Sequence, residues 1–127
     1  MSRLKELSIA LLASVSGVDM KTAGKTVLYS VSVGKTGYVL FVVVREPSAS
    51  MAGGTDYDLG TGANADTWRQ TINLSSMTTL ATDYMAIAGA DVTKYTDNAA
   101  AAAFGIKVIT GTTAACTATI DVFGFEA

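Results

Sequence analysis

Apolar residues recur along this chain at two spacings, and the change from one to the other divides it. Leu4, Leu7, Leu11, Val15 and Val18 stand three or four apart, the interval that lines one face of an α-helix, and Gly17 falls near the expected end. This spacing predicts a short amphipathic helix within residues 2–18. From Thr26 the interval drops to two: Val27, Tyr29, Val31 and Val33 point one way, Leu28, Ser30 and Ser32 the other. Gly34-Lys35-Thr36-Gly37 then supplies a turn, expected to close a hairpin with the next strand. Residues 38–44 are apolar without interruption, and a strand apolar on both sides is expected to be covered on both sides. Pro47 ends that run, because proline cannot continue a central ladder.

Residues 55–59 and 68–74 read as short strands around a glycine-containing loop. Residues 75–88 are ambiguous: Met77, Leu80, Tyr84 and Ile87 suit a helical turn, whereas Thr78, Thr79 and Thr82 weaken it. A further short strand is expected at 92–96 and a loop at the alanine-rich stretch 98–103. Two β runs, 104–110 and 116–125, are expected to form a closing hairpin. Short strands separated by turn signals predict an all-β fold, a jelly-roll-like β-sandwich with a short N-terminal helix. On this reading residues 1–20 are a helical segment and candidate docking element, and residues 21–127 are the sandwich domain.

Composition sharpens the picture. Half of the 127 residues are apolar and only 16% are charged, against roughly 25% in an ordinary soluble domain. Such a chain covers its surface with small residues or buries part of it against other subunits, since obligate interfaces are depleted in charge. The nine basic residues are scattered among eleven acidic ones, so no stripe exists to neutralise phosphates and no nucleic-acid partner is expected. Arg3 and Lys5 before an apolar run at 7–15 loosely imitate a signal peptide. Ser8 and Ser14 interrupt that run and it is too short to span a bilayer, so it is read as part of the fold, with no membrane partner. The single cysteine, Cys116, can form no internal disulfide and favours synthesis in the cytosol.

The absence of histidine removes the usual nucleophile pairs and the commonest general base, and no catalytic residue is assigned. Gly24-Lys25-Thr26 and Gly34-Lys35-Thr36 lack the glycine that a phosphate loop needs five residues earlier; Asp19 and Tyr29 stand there instead. The Gly60 to Ala65 stretch has dinucleotide-fingerprint spacing without the strand and helix that motif requires. No cofactor is expected. Two groups keep two readings each. Asp56, Asp58, Asn64 and Asp66 either make turns and satisfy loop amides or offer hard oxygens to a calcium ion. Trp68 and Tyr57 are either a sugar-stacking platform or core.

The run Thr26-Val27-Leu28-Tyr29-Ser30-Val31 with Val33-Gly34-Lys35-Thr36 resembles the opening of small structural proteins of tailed bacteriophages, of the capsid decoration or cement type. Arg45-Glu46-Pro47-Ser48-Ala49-Ser50, Gly53-Gly54-Thr55-Asp56-Tyr57-Asp58, Phe104-Gly105-Ile106-Lys107 and Ala118-Thr119-Ile120-Asp121-Val122-Phe123-Gly124 are similar to the loops and closing strands of that group. The resemblance implies a jelly-roll or related sandwich, made in the host cytoplasm and carried in the virion. It also implies binding between major capsid subunits, often as a homotrimer, and no catalytic residues. Interface candidates are Leu4, Leu7, Leu11 and Val15 on the N-terminal stripe and Leu40, Val42 and Val44 on the doubly apolar strand. The competing expectation is a carbohydrate- or receptor-binding β module of a fibre, tail or secreted protein, working through Trp68, Tyr57 and the nearby aspartates.

Overall fold

The computed structural model describes residues 8–79, 83–89, 96–97 and 102–127. Among these, nine strands form two antiparallel sheets: β1 (Ala10–Asp19), β2 (Gly24–Ser30), β3 (Gly37–Arg45), β4 (Asp56–Gly60), β5 (Arg69–Ile72), β6 (Tyr84–Ala86), β7 (Thr96–Asp97), β8 (Ala103–Thr110) and β9 (Thr117–Glu126). Sheet A runs β1-β9-β3-β6, with β7 also on β3, and sheet B runs β2-β8-β4-β5. This order is a jelly roll, in which most sequence neighbours lie in opposite sheets. The all-β sandwich expected from the alternation is therefore the fold.

The core is the space between the sheets. Val42, Val44, Ile120 and Val122 of sheet A are almost fully buried against Tyr57, Leu59, Phe104 and Ile106 of sheet B. Trp68 sits among them, edge-on to Phe104 with ring centroids 5.7 Å apart, and its indole N–H donates to the Val39 carbonyl at 3.3 Å.

The expected N-terminal helix is instead a strand from Ala10 to Asp19, paired with β9 inside sheet A. Register shifts between Leu11 and Ala13 and between Val15 and Val18 explain the misleading spacing. Each bulge inserts a residue, so core-facing positions recur at wider intervals than two. Val15 and Val18 face the core, whereas Leu11 lies opposite Phe123 and is 54% exposed. The described part of the candidate docking element thus belongs to the sandwich itself. Leu4 and Leu7 lie outside the described residues.

Both expected hairpins are also corrected. β2 pairs with β8, and β3 pairs with β9, β6 and β7, so the Gly34 turn passes from one sheet to the other. β8 and β9 are likewise in different sheets. Short turns permit hairpins but do not compel them; here each strand buries its apolar side better by crossing the core. Within β2, a shift between Val27 and Tyr29 turns Leu28 and Tyr29 both inward and leaves Val27 half exposed. The ambiguous stretch 75–88 holds β6, with no helix among its described residues, while Leu80 and Thr82 lie outside them. The strand expected at 92–96 coincides with the described residues only at Thr96, in β7, and most of the loop expected at 98–103 lies outside them.

Candidate interaction surface

The two outer faces of the sandwich differ in kind. On sheet B the exposed side chains are mixed, with Val27 and Ile109 among charged residues. Lys25 of β2 stands opposite Lys107 of β8, which stands opposite Asp58 of β4, so three charged side chains form a row across the sheet. The 61–68 loop folds back onto this row: Lys25 Nζ donates to the Gly62 carbonyl at 2.7 Å, and Lys107 Nζ donates to Asn64 Oδ1 at 3.2 Å. Lys25 also donates to the Ala103 carbonyl at 3.1 Å, and its partial burial holds its pKa below the usual lysine value.

Of the four calcium candidates, Asp58 and Asn64 have a side-chain oxygen engaged within the molecule. Asp58 Oδ1 accepts the Thr71 backbone N–H at 2.9 Å, and Asn64 Oδ1 accepts from Lys107. The Asp66 backbone carbonyl accepts from Gln70 at 3.2 Å. Burial, reinforced by the charges of Asp56 and Asp66, pushes the Asp58 pKa up despite the Thr71 hydrogen bond. Asp56 Oδ1 is buried with no hydrogen-bond partner among the described residues. No three acidic or cysteine side chains among those residues gather into a group fit to hold a metal ion. Asp56 and Asp58 lie on β4, and Asn64 and Asp66 in the loop that follows it.

The sugar-stacking reading is overturned by burial. Trp68 and Tyr57 are both fully buried. Their polar tips are also spent inside the molecule: Trp68 Nε1 on Val39, and Tyr57 Oη donating to the Met20 carbonyl at 2.8 Å. Burial pushes the Tyr57 pKa up to about 12. Neither ring offers a face to a ligand.

Sheet A turns an apolar face outward. Leu11, Phe123 and Phe41 lie side by side across β1, β9 and β3, and in the next rows Val43 stands beside Met85 of β6 and Tyr38 beside Phe125. The Phe41 and Phe123 rings stack with centroids 4.7 Å apart, and Tyr38 and Phe125 stack at 4.8 Å. Neighbouring aromatic side chains across antiparallel strands stabilise the sheet, which accounts for part of their partial burial. Met85, at 61% exposed, has no such excuse; a flexible apolar side chain on a flat apolar face is what binding surfaces use.

The face also carries a polar cluster centred on Arg45, which forms ion pairs with both Asp121 and Glu46. Ser14 Oγ donates to Asp121 Oδ1 at 2.6 Å, and Arg45 Nε donates to Asp121 Oδ2 at 2.7 Å. Burial alone would raise the Asp121 pKa, but the hydrogen bonds from Arg45 and Ser14 and the charge of Arg45 outweigh it and hold it low.

The interface candidates on β3 divide accordingly. Val42 and Val44 point into the core and are unavailable to a partner, while Leu40, at a register shift, is 39% exposed. The outward residues of this strand include Tyr38, Phe41 and Val43, which the seven-residue apolar run signalled without telling which side was which. Leu11 is on the outer face and Val15 packs against the core. Phe123 and Asp121, on one side of β9 by their spacing, gained significance only when the strand found its neighbours.

No protein-family model matches this sequence, and no curated protein matches it significantly. A chain of the solved "Cyanophage Pam1 capsid asymmetric unit" is similar in fold, with a TM-score of 0.56 and 16% sequence identity over 92% of this chain and 82% of that one. The likeness extends over nearly the whole sandwich. Among the described residues no helix is long and apolar enough to cross a membrane.

Proposed function

We propose that this chain is a non-enzymatic structural subunit of a virion, a decoration or cement protein that binds between the major shell subunits and stabilises them. The observation that carries the reading is the apolar outer face of sheet A on a chain with 16% charged residues. A subunit of this kind acts by adding buried area between neighbours, with each standard contact burying on the order of 1,600 Å². Closed symmetry repeats that gain around an axis, and a homotrimer is the arrangement the resemblance favours. Support for the virion setting comes from the jelly-roll order and from its likeness to a capsid chain over 92% of the length. The carbohydrate-binding alternative has lost its platform, because Trp68 and Tyr57 are core.

The test is to purify virus particles from cells that make this chain and to ask whether it sediments with them in fixed proportion to the major shell protein. Particles lacking it should lose their genome at lower temperature. A chain that stays with the soluble proteins while intact particles sediment without it would overturn the reading.

A further inference from the structure

We infer that Met85 is an oxidation-sensitive point of control on the outer face of sheet A: peroxide acting on the free subunit converts its thioether to the sulfoxide and weakens docking to the shell. The inference rests on the reading of that face as an assembly contact and adds a means of regulating it.

Access to the sulfur comes first. Of the methionines among the described residues, Met20, Met51 and Met77 are at most 4% exposed, whereas Met85 is 61% exposed. Cys116, the other sulfur open to oxidation, is buried as well. Strand register explains the difference. Ala86 lies opposite Val42 and points into the core, so its neighbour Met85, opposite Val43, points out. Dissolved hydrogen peroxide therefore reaches this sulfur before the others. The sulfur lone pair attacks one peroxide oxygen, the O–O bond breaks, and the proton of the transferred oxygen passes to the departing hydroxide, giving sulfoxide and water. Sulfur is oxidised and peroxide reduced, so no further reagent is needed.

The consequence follows from position. Met85 shares its row with Val43, and the stacked rings of Phe41 and Phe123 stand in the next outward row. A thioether there is flexible and apolar and moulds to a facing surface without needing a hydrogen bond. The sulfoxide carries a strong acceptor oxygen. Water solvates that oxygen in the free subunit, and a docked apolar neighbour leaves it without a donor. Because the side chain lies outside the core, the sandwich survives its oxidation while the contribution to docking is lost. Methionine sulfoxide reductases reverse the change, which distinguishes a control from damage.

The experiment treats the purified full chain with limiting hydrogen peroxide. Peptide mass mapping, circular dichroism and co-sedimentation with virus particles purified without this chain then follow the product. The expected result is an added oxygen on Met85 well before Met20, Met51 or Met77, an unchanged circular dichroism spectrum, and particle binding weakened about tenfold or more. Reduction by the sulfoxide reductases should restore binding. Met85→Leu should bind particles with or without peroxide, and Met85→Gln, polar without oxidation, should bind as weakly as the oxidised chain. Buried methionines oxidised as fast as Met85, an oxidised chain that binds as tightly as the untreated one, or a Met85→Leu chain that peroxide still releases would each overturn the inference. The virion role is judged on the untreated chain. If that chain does not sediment with particles, the role and the docking effect fall together, even where Met85 is selectively oxidised.

Discussion

Asp121 on β9 and Arg45 on β3 meet 2.7 Å apart on the outer face of sheet A, joining two strands that lie 76 residues apart in sequence. The Asp121 side chain is 11% exposed and that of Arg45 33%, so the pair is neither fully solvated nor fully buried. Asp121→Asn should lower stability by about 1 kcal/mol at neutral pH, discounted from the 1.5–3 kcal/mol of a buried charge-assisted bond for that partial solvation. The folded pKa of Asp121 is depressed. Its contribution is therefore fully present above the ordinary aspartate value of about 3.9 and disappears as the pH falls through the lower folded value. Urea unfolding of the two proteins should differ at neutral pH and converge in acid; a gap that persists unchanged in acid would exclude this electrostatic origin.

Thr71 holds a left-handed backbone with φ of 56°, an unfavourable setting for a β-branched side chain. Its backbone N–H bonds to Asp58, and its side chain is exposed, so the strain serves the main chain alone. Asparagine tolerates this conformation far better. Thr71→Asn should stabilise the fold by about 1 kcal/mol, a rise of a few degrees in Tm. A calorimetric Tm equal to or below that of the wild type would contradict the strain assignment.

Gly124 on β9 lies opposite Val39 of β3. A Cβ built there would collide with the Tyr38 carbonyl oxygen, a backbone atom that cannot swing aside. Gly124→Ala should cost about 3 kcal/mol, the upper end of overpacking, because the two central strands must separate. Denaturant unfolding checks the loss, and near-normal stability would show that the strands part easily.

Trp68 fills the centre of the sandwich against Phe104. Trp68→Ala should destabilise by about 3–5 kcal/mol, as removal of a buried aromatic does. A surface platform would behave otherwise, with stability kept and sugar binding lost. Thermal melting in the presence and absence of a panel of glycans separates the two.

Strand locations were largely legible from sequence, since a run of apolar or alternating residues is a local signal. Residues 38–44, 55–59 and 104–110 all lie in strands at or near the expected limits. The sandwich class followed from their shortness and number. Two things did not follow. Bulges in β1, β2 and β3 break the period of two, so the spacing of Leu11 and Val15 mimics a helical stripe and that of Val27 places it on the side of Tyr29 and Val31. Pairing partners in a jelly roll are remote in sequence, so a turn such as Gly34-Lys35-Thr36-Gly37 could not announce that it leads into the opposite sheet.

The candidate surface shows the same division. Seven consecutive apolar residues from Tyr38 to Val44 determined, by themselves, a strand with no polar side. Only the tertiary structure decided that Val42 and Val44 face the core while Phe41 and Val43 face outward beside Phe123 and Met85. Likewise Trp68 and Tyr57, apolar rings with polar tips, suit a wet surface or a dry core equally well by composition. Burial became favourable because the Val39 and Met20 carbonyls stand ready to accept their hydrogen bonds. Local chemistry set what each segment could become, and long-range strand pairing, which no local pattern encodes, selected which of its sides met the solvent.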